Sequence, residues 1–158
     1  MRYFIFALFM ACCMTSYAQQ ESMVGNTKLG AVYEEALMSL KAEFGEPEQE
    51  SITQIKFKNV HFKGFKFDAL CLNFRNNRFS EARFYMNASN KQAALHLKES
   101  LAKAFSQNQE LSKDLEEDGS TFYKGGRGPL GIGHLFTIFS APNNGRWTAQ
   151  LRYGPFIF

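Results

Sequence analysis

The chain has 158 residues, of which 45% are hydrophobic and 17 are phenylalanine, and its formal net charge is +3. This near-neutral balance lacks the basic stripe expected of a nucleic-acid-binding protein, so we predict no nucleic-acid partner. The length fits one domain with a substantial core, and after the N-terminus no segment is apolar enough to predict a transmembrane helix.

Residues 1–18 have the pattern of a secretory signal peptide. Arg2 is their only charged residue, an apolar run covers residues 3–14, and Ser16 and Ala18 supply small side chains near the end. This pattern predicts cleavage after Ala18 and export to the periplasm or the medium. The apolar run is too short for a membrane-spanning helix.

A lipid anchor is the second alternative for the N-terminus. Cleavage before Cys12 would leave an acylated cysteine at the N-terminus. Phe9, however, is a poor residue at the upstream position on which such cleavage depends. After cleavage at residue 18 the chain keeps Cys71 alone, so an internal disulfide is excluded and packing must provide the stability. We interpret Cys71 as a small buried hydrophobic residue rather than a nucleophile, because it lies in a strand-like apolar run.

A first helix is predicted over residues 31–44. Residues 19–28 before it are polar and patternless, and we interpret them as a flexible leader to a single domain that covers residues 29–158. Gly45 supplies a left-handed cap, and Pro47 prevents the helix from continuing. The helix is predicted because apolar residues recur at spacings of three and four: Leu29, Val32, Ala36, Leu37, Leu40 and Phe44.

A long β-hairpin is predicted over residues 65–86, with its turn at residues 76–77, because asparagine tolerates positive φ. A two-residue loop would place Leu72 opposite Glu81, whereas a three-residue loop with a bulge would place Leu72 opposite Ala82. We predict the second register, because it keeps charged side chains off the apolar face.

This register divides the hairpin into two faces. The inner face, which we expect to pack against the helices, contains Leu70, Leu72, Phe74, Ala82, Phe84 and Met86. The outer face contains Phe65, Phe67, Cys71, Phe79, Glu81, Arg83 and Tyr85. The aromatic and charged composition of the outer face resembles that of a protein interface.

The second half repeats the order of the first. Asn87, Ser89 or Asn90 can cap a second helix, whose apolar stripe runs over residues 94–105. Residues 107–119 are polar and acidic, and we interpret them as a solvated loop. The other strands are predicted at residues 52–57, 60–62, 121–124, 134–140 and 146–153.

This succession of elements predicts an α+β domain, in which two helices pack on one face of an antiparallel sheet. Residues 31–86 and 90–158 would then form two tandem helix-plus-strands units. The other face of the sheet must meet solvent or a partner. We expect a monomer or a weak oligomer.

The motifs in the chain predict no catalytic residue, cofactor or metal. Residues 126–131 match G-x-G-x-x-G, but a dinucleotide site needs this motif between a strand and a helix, and here a strand follows. We interpret residues 125–133 as a glycine-rich contact loop that carries Arg127. No shared helical face or metal-ligand spacing joins the three histidines, His61, His96 and His134.

Two short segments carry a family resemblance. Leu29-Gly30 before the first helix and Phe44-Gly45-Glu46-Pro47 after it resemble small exported domains of the β-lactamase-inhibitor-like type and of the SmpA/OmlA outer-membrane lipoproteins. The ending Leu151-Arg152-Tyr153-Gly154-Pro155-Phe156 resembles that of secreted bacterial proteins of unassigned function. The resemblance implies a duplicated helix-on-sheet α+β fold whose open sheet face binds another protein. It implies no catalytic residues.

We therefore expect an exported, non-enzymatic protein-binding domain. Two alternatives stay open: a structural component of an envelope assembly, and a small envelope hydrolase with a site assembled from dispersed residues such as His61, His134 and Asp68. The candidate contact residues are Phe65, Phe67, Phe79, Arg83, Tyr85 and Arg127.

Overall fold

Two α-helices, one short 3₁₀ helix (Pro129–Gly131) and ten strands are found in residues 22–117 and 119–158, the part of the chain that the computed structural model describes. The α-helices are α1 (Tyr33–Phe44) and α2 (Lys91–Ser106). The strands are β1 (Met23–Val24), β2 (Thr27–Lys28), β3 (Gln49–Glu50), β4 (Gln54–Phe62), β5 (Phe65–Arg75), β6 (Arg78–Ala88), β7 (Leu111–Leu115), β8 (Thr121–Gly125), β9 (Phe136–Asn143) and β10 (Arg146–Tyr153). The predicted signal peptide and its cleavage site lie outside the described residues.

Helix α1 ends at the residue that the sequence predicts and begins two residues later than expected. Its side chains Tyr33, Ala36 and Leu40 are buried. Gly45 follows with a φ of 85°, and its N–H donates to the carbonyl of Lys41. Glycine adopts this left-handed conformation without steric cost, so the helix terminates there.

Helix α2 begins at the third of the three predicted caps. The Asn90 side-chain oxygen accepts a hydrogen bond of 2.9 Å from the N–H of Ala93. This bond satisfies one of the donors that a helix N-terminus leaves free. Ala94, Leu101 and Phe105 are buried, which confirms the predicted apolar stripe.

Strands β3–β10 form one eight-stranded antiparallel sheet in the order β3-β4-β5-β6-β10-β9-β8-β7. Helix α1 precedes the meander β3–β6, and α2 precedes the meander β7–β10. The last strands of the two meanders, β6 and β10, pair at the centre of the sheet. This arrangement confirms the predicted α+β class, and it gives the two units an approximate two-fold relation about the β6–β10 pair.

Both helices pack on the same face, and a chain of aromatic rings joins them through the core. Phe44 of α1 lies 6.4 Å from Phe84, and Phe84 lies 6.3 Å from Tyr153. Tyr153 in turn lies 5.5 Å from Phe136, which contacts Phe105 of α2 at 5.2 Å. These ring-centroid distances are typical of favourable aromatic pairs.

The β5–β6 hairpin has the predicted register but a different loop. Leu72 pairs with Ala82, as expected. The loop, however, is the two-residue turn Asn76–Asn77, whose φ angles are 51° and 61°. The extra residue sits inside β6 at Ser80, where the register shifts. A bulge within the strand thus produces the register that we predicted from a longer loop.

The predicted flexible leader is corrected for residues 22–28. Strands β1 and β2 pair in a hairpin that contacts α1. Val24 is fully buried, and the Thr27 hydroxyl donates to that of Ser39 at 2.9 Å. One apolar anchor and one buried hydroxyl therefore attach this segment to the domain.

The predicted acidic loop is corrected as well, because residues 111–115 form the edge strand β7 and pair with β8. Leu111 packs against the core. Its cross-strand partner Gly125 allows this, because a Cβ there would lie 2.5 Å from side-chain atoms of both Leu111 and Phe136.

Candidate functional site

The sheet face opposite the helices is called the open face below. Its central row consists of direct cross-strand neighbours from six adjacent strands: Lys56, Cys71, Arg83, Arg152, Thr137 and Lys124. With strands about 4.8 Å apart, this row is roughly 24 Å long. Four of its six side chains are cations, so the open face has a basic centre line.

An aromatic row lies beside the basic row. Tyr85 on β6 and Phe139 on β9 flank Gln150 of β10 as its direct neighbours. Both rings are half-buried, whereas Gln150 is buried and donates its amide to the Thr148 hydroxyl at 2.9 Å. The open face therefore combines arginine and aromatic side chains that no described helix covers.

The six predicted contact residues divide into two groups. Arg83 and Tyr85 lie on the open face, and Arg127 is exposed in the loop between β8 and β9. The other three side chains instead pack with the core on the helix side: Phe65, Phe67 and Phe79. The predicted outer-face position of these three phenylalanines is therefore wrong.

Phe67 is fully buried, and its ring lies 5.1 Å from that of Phe84. The alternation of buried side chains changes phase at Asn59, which has a φ of 51°, and at Asp68 on the neighbouring strand. Phe67 thereby turns to the face that holds Leu70 and Phe84. Phe65, two residues earlier, follows it and lies 6.4 Å from the Phe67 ring.

Phe79 is buried for a different reason. The extra residue of the β6 bulge, Ser80, lies between Phe79 and Glu81. Phe79 therefore pairs with Phe74 on the helix side, whereas Glu81 and Arg83 lie on the open face. The Phe74 and Phe79 rings lie 5.7 Å apart. A bulge inside the predicted loop would have left Phe79 on the other face.

Arg83 is neutralised by a network that crosses three strands. Its Nε donates to Glu81 at 2.7 Å, and Glu81, only 6% exposed, also accepts from the Asn73 amide at 2.8 Å. Asn73 in turn accepts from Gln54 at 2.9 Å. Burial lowers the pKa of Arg83, but the hydrogen bond and charge of Glu81 together with the contribution of Tyr85 outweigh it, so the pKa of Arg83 is raised.

Arg152 has no such partner. Its Nε is buried without a hydrogen bond, and the hydroxyl of its cross-strand neighbour Thr137 is also buried without one. Among the described residues, no carboxylate forms an ion pair with Arg152. The guanidinium instead stacks over the Phe139 ring at 5.5 Å. Two polar groups are thus unsatisfied side by side at the centre of the open face.

The β8 end of the basic row is partly neutralised. Lys124 forms an ion pair of 2.5 Å with Asp114 of β7. Desolvation and the charges of Lys124 and Arg152 lower the pKa of His134, while Asp114 opposes them. His134 therefore lies within electrostatic reach of both cations.

The predicted glycine-rich contact loop connects β8 to β9. The N–H of Gly128 donates to the carbonyl of Gly133 at 3.1 Å and closes the loop. Leu130 and Ile132 are 82% and 75% exposed. The loop therefore presents two large apolar side chains between Lys124 and His134, which border the open face.

The residues named for a hydrolase site are dispersed. His61 is on β4, His134 precedes β9, and Asp68 accepts a backbone hydrogen bond of 2.7 Å from Asn87. Within the described ranges, no three histidine, cysteine, aspartate or glutamate side chains are grouped to hold a metal ion. Burial raises the pKa of the Cys71 thiol, which disfavours the thiolate that a nucleophile needs.

A groove of about 460 Å³ lies between α2 and the β7–β8 edge. Tyr123 donates its hydroxyl to Glu99 there at 2.5 Å. Beneath them Lys98 is 1% exposed, and its ammonium donates to the carbonyl and hydroxyl oxygens of Thr121 at 2.8 and 2.7 Å. These groups satisfy one another, so the groove holds no poised nucleophile and base.

The chain matches no protein-family model, no curated protein and no solved structure. The resemblance to exported inhibitor-like and lipoprotein domains therefore stays a prediction. In the described part of the chain, neither helix has the length and apolar character needed to span a membrane.

Sequence reasoning missed four of the six residues in the central row, Lys56, Arg152, Thr137 and Lys124, and also the neighbouring Phe139. All five lie in segments predicted to be strands, so alternation alone could have grouped Arg152 with Gln150 and Thr148. That Arg152 neighbours Arg83 depends on the β6–β10 pairing, for which the sequence contains no local signal.

Proposed function

We propose that this chain is an exported, non-enzymatic protein-binding domain that contacts its partner through the open face. The observation that carries the proposal is the uncovered central surface formed by Arg83, Tyr85, Arg152 and Phe139. Arginine and tyrosine are enriched where interfaces concentrate their binding energy. Antiparallel neighbours on a sheet also hold such side chains rigidly, which lowers the entropic cost of binding.

The glycine-rich loop is the second contact of this proposal. Leu130 and Ile132 are large apolar side chains that a folded domain normally buries, and here both are exposed. The loop begins next to Lys124, so a partner on the open face could reach it. The resemblance to exported domains that bind through an open sheet face agrees with this assignment.

The hydrolase alternative has no supporting observation. His61 on β4 and His134 before β9 are separated by three intervening strands, β5, β6 and β10. Asp68 is occupied by its bond to the Asn87 backbone. A general base must lie within hydrogen-bond reach of the group it serves, and these side chains do not approach one another.

Export is tested by the N-terminus of the protein isolated from its host. Mass spectrometry should find the chain beginning at Gln19. A chain that begins at an acylated Cys12 would support the lipoprotein alternative. A chain that retains Met1 and the apolar run would contradict export by a cleaved signal peptide.

The binding role is tested by photo-crosslinking in the host cell. We would place p-benzoylphenylalanine at Tyr85 or Phe139 on the open face, and at Met38 on α1 as the control, because Met38 is 73% exposed on the opposite side. A discrete protein adduct is expected from the two open-face positions and not from Met38. Adducts from Met38 alone would contradict the proposal.

A further inference from the structure

We propose that the Arg152–Thr137 pair is the anchor of the open face and receives a carboxylate from an acidic segment of the partner protein. This inference rests on the proposed binding function and specifies the chemistry of the partner. It starts from the two buried groups without hydrogen bonds, Arg152 Nε and Thr137 Oγ1, which are direct cross-strand neighbours.

Both groups can donate to the same acceptor. The guanidinium of Arg152 is a donor only, and the hydroxyl of Thr137 can donate one hydrogen bond. Side chains directly opposite each other have Cβ atoms about 5 Å apart, close enough for one planar oxyanion to contact both. A buried polar group without a partner is unfavourable, and Thr137 is only 5% exposed. Both atoms are buried, so the guanidinium of Arg152 must move for a carboxylate to contact them, and the bound carboxylate would then satisfy both donors.

The chain itself contains the matching arrangement one strand away. Arg83, the direct neighbour of Arg152, donates its Nε to Glu81, two residues earlier on its own strand. The residue two before Arg152 is Gln150, whose amide is occupied by Thr148. An uncharged amide thus stands on β10 where β6 has a carboxylate. None of the described residues supplies an anion to Arg152, so in this proposal the carboxylate comes from the partner protein.

The charges around the pair favour an acidic protein segment over a nucleic acid or an anionic membrane. Glu81 already neutralises Arg83, and Asp114 already neutralises Lys124. Lys56, the fourth cation of the row, lies three strands away on β4, so Arg152 is the one cation without a carboxylate partner at the centre of the described open face. Phe139 beneath the guanidinium and Tyr85 nearby add apolar contacts that a side-chain carboxylate and its methylene groups can use.

The chemistry of the anchor is tested first with a minimal probe. Sodium acetate is titrated into ¹⁵N-labelled protein at constant ionic strength, with chloride as the balancing anion, and the arginine Nε–Hε signals are followed by NMR. The Arg152 signal should shift in a saturable manner, and the Thr137→Val variant should weaken the apparent affinity at least fivefold. Arg146 is an exposed cation on the same strand, so its signal is the internal control.

The second arm uses the crosslinked partner. Arg152→Gln should reduce the yield of the Tyr85 adduct at least tenfold, whereas Arg146→Gln should leave it unchanged. An adduct that persists in Arg152→Gln would overturn the anchor and leave the binding function standing. Absence of every open-face adduct would instead contradict the binding function, and the acetate titration would still decide the chemistry of the pair.

Two results of the titration would overturn the inference directly. One is the absence of a saturable shift of Arg152 with acetate. The other is found in parallel titrations with single-stranded DNA or anionic phospholipid vesicles. If their phosphate groups shift the Arg152 signal at far lower concentrations than acetate does, the site binds polyanions. Circular dichroism of Arg152→Gln verifies that the variant is folded.

Discussion

Arg83 and Arg152 lie directly opposite each other on the two central strands of the sheet, where the two meanders meet. Like charges in this position normally destabilise an antiparallel pair. Glu81 neutralises Arg83 by accepting a hydrogen bond from its Nε, but it does not bind Arg152. The fold therefore retains a local cost at the centre of its open face, which is expected where a residue serves binding rather than stability.

Arg152→Met should stabilise the protein. Methionine keeps an unbranched stem over Phe139, while the buried Nε and the repulsion with Arg83 disappear. We expect the free energy of unfolding in urea to rise by about 0.5–1 kcal/mol. Arg146→Met, the exposed control, should change it by less than about 0.5 kcal/mol. A loss of stability in Arg152→Met alone would mean that Arg152 makes an internal interaction in solution.

Phe67→Ala and Tyr85→Ala should differ in their effect on stability, because Phe67 lies in the core and Tyr85 on the open face. Phe67 is fully buried against Phe84, so its truncation should lower the free energy of unfolding by about 3–5 kcal/mol. Tyr85 is half-buried on the uncovered side, and its truncation should cost no more than about 1.5 kcal/mol. Urea unfolding monitored by circular dichroism measures both, and equal losses would contradict the positions of the two rings.

The helices and the hairpin register follow from short-range rules. Gly45 and Pro47 mark the end of α1, and the need to keep charges off the apolar face selects the pairing of Leu72 with Ala82. These features depend on residues that are close in sequence. The fold class follows in turn, because two helices and consecutive antiparallel strands have few ways to pack.

The errors arose where one residue changes the phase of a strand. The pairing of residues 69–73 with β6 is identical whether the extra residue sits in the turn or at Ser80, so the sequence could not decide on which face Phe79 lies. Asn59 reverses the alternation of β4 and, through strand pairing, that of Phe67. The open-face anchor at Arg152 depends on pairing between the two halves, which is set by the whole fold.

Lys98→Met should destabilise the attachment of α2 to β8. The ammonium of Lys98 is buried and donates two hydrogen bonds to Thr121, which methionine cannot replace. We expect a loss of about 1–3 kcal/mol in the free energy of unfolding. Lys103→Met, on the exposed side of the same helix, is the matched control and should be close to neutral. A similar effect of both substitutions would show that the buried bonds contribute little.

His134 should report the charges beside the open face. Its pKa is lowered from 6.5 by desolvation and by Lys124 and Arg152. Lys124→Gln should therefore raise it, and Asp114→Asn should lower it further, as measured by NMR titration of the imidazole protons. Because the folded state disfavours protonation, the contribution of His134 to stability should decline as the pH falls from about 6.5 through the lowered pKa. Shifts in the same direction in both variants would contradict this arrangement.

Tyr123 should titrate well above an ordinary tyrosine. Desolvation and the hydrogen bond to Glu99 raise its pKa to about 12. Glu99→Gln removes the carboxylate charge and should return the pKa towards 10.0, the ordinary value. The raised pKa means that the neutral, donating phenol stabilises the fold below the unfolded-state pKa, and this contribution is lost as the pH rises through about 12. Ultraviolet absorbance is titrated against pH for the wild type and for Tyr123→Phe, and the difference between the two curves isolates Tyr123 from the other tyrosines. A midpoint near 10 in that difference would contradict both the desolvation of Tyr123 and its hydrogen bond to Glu99.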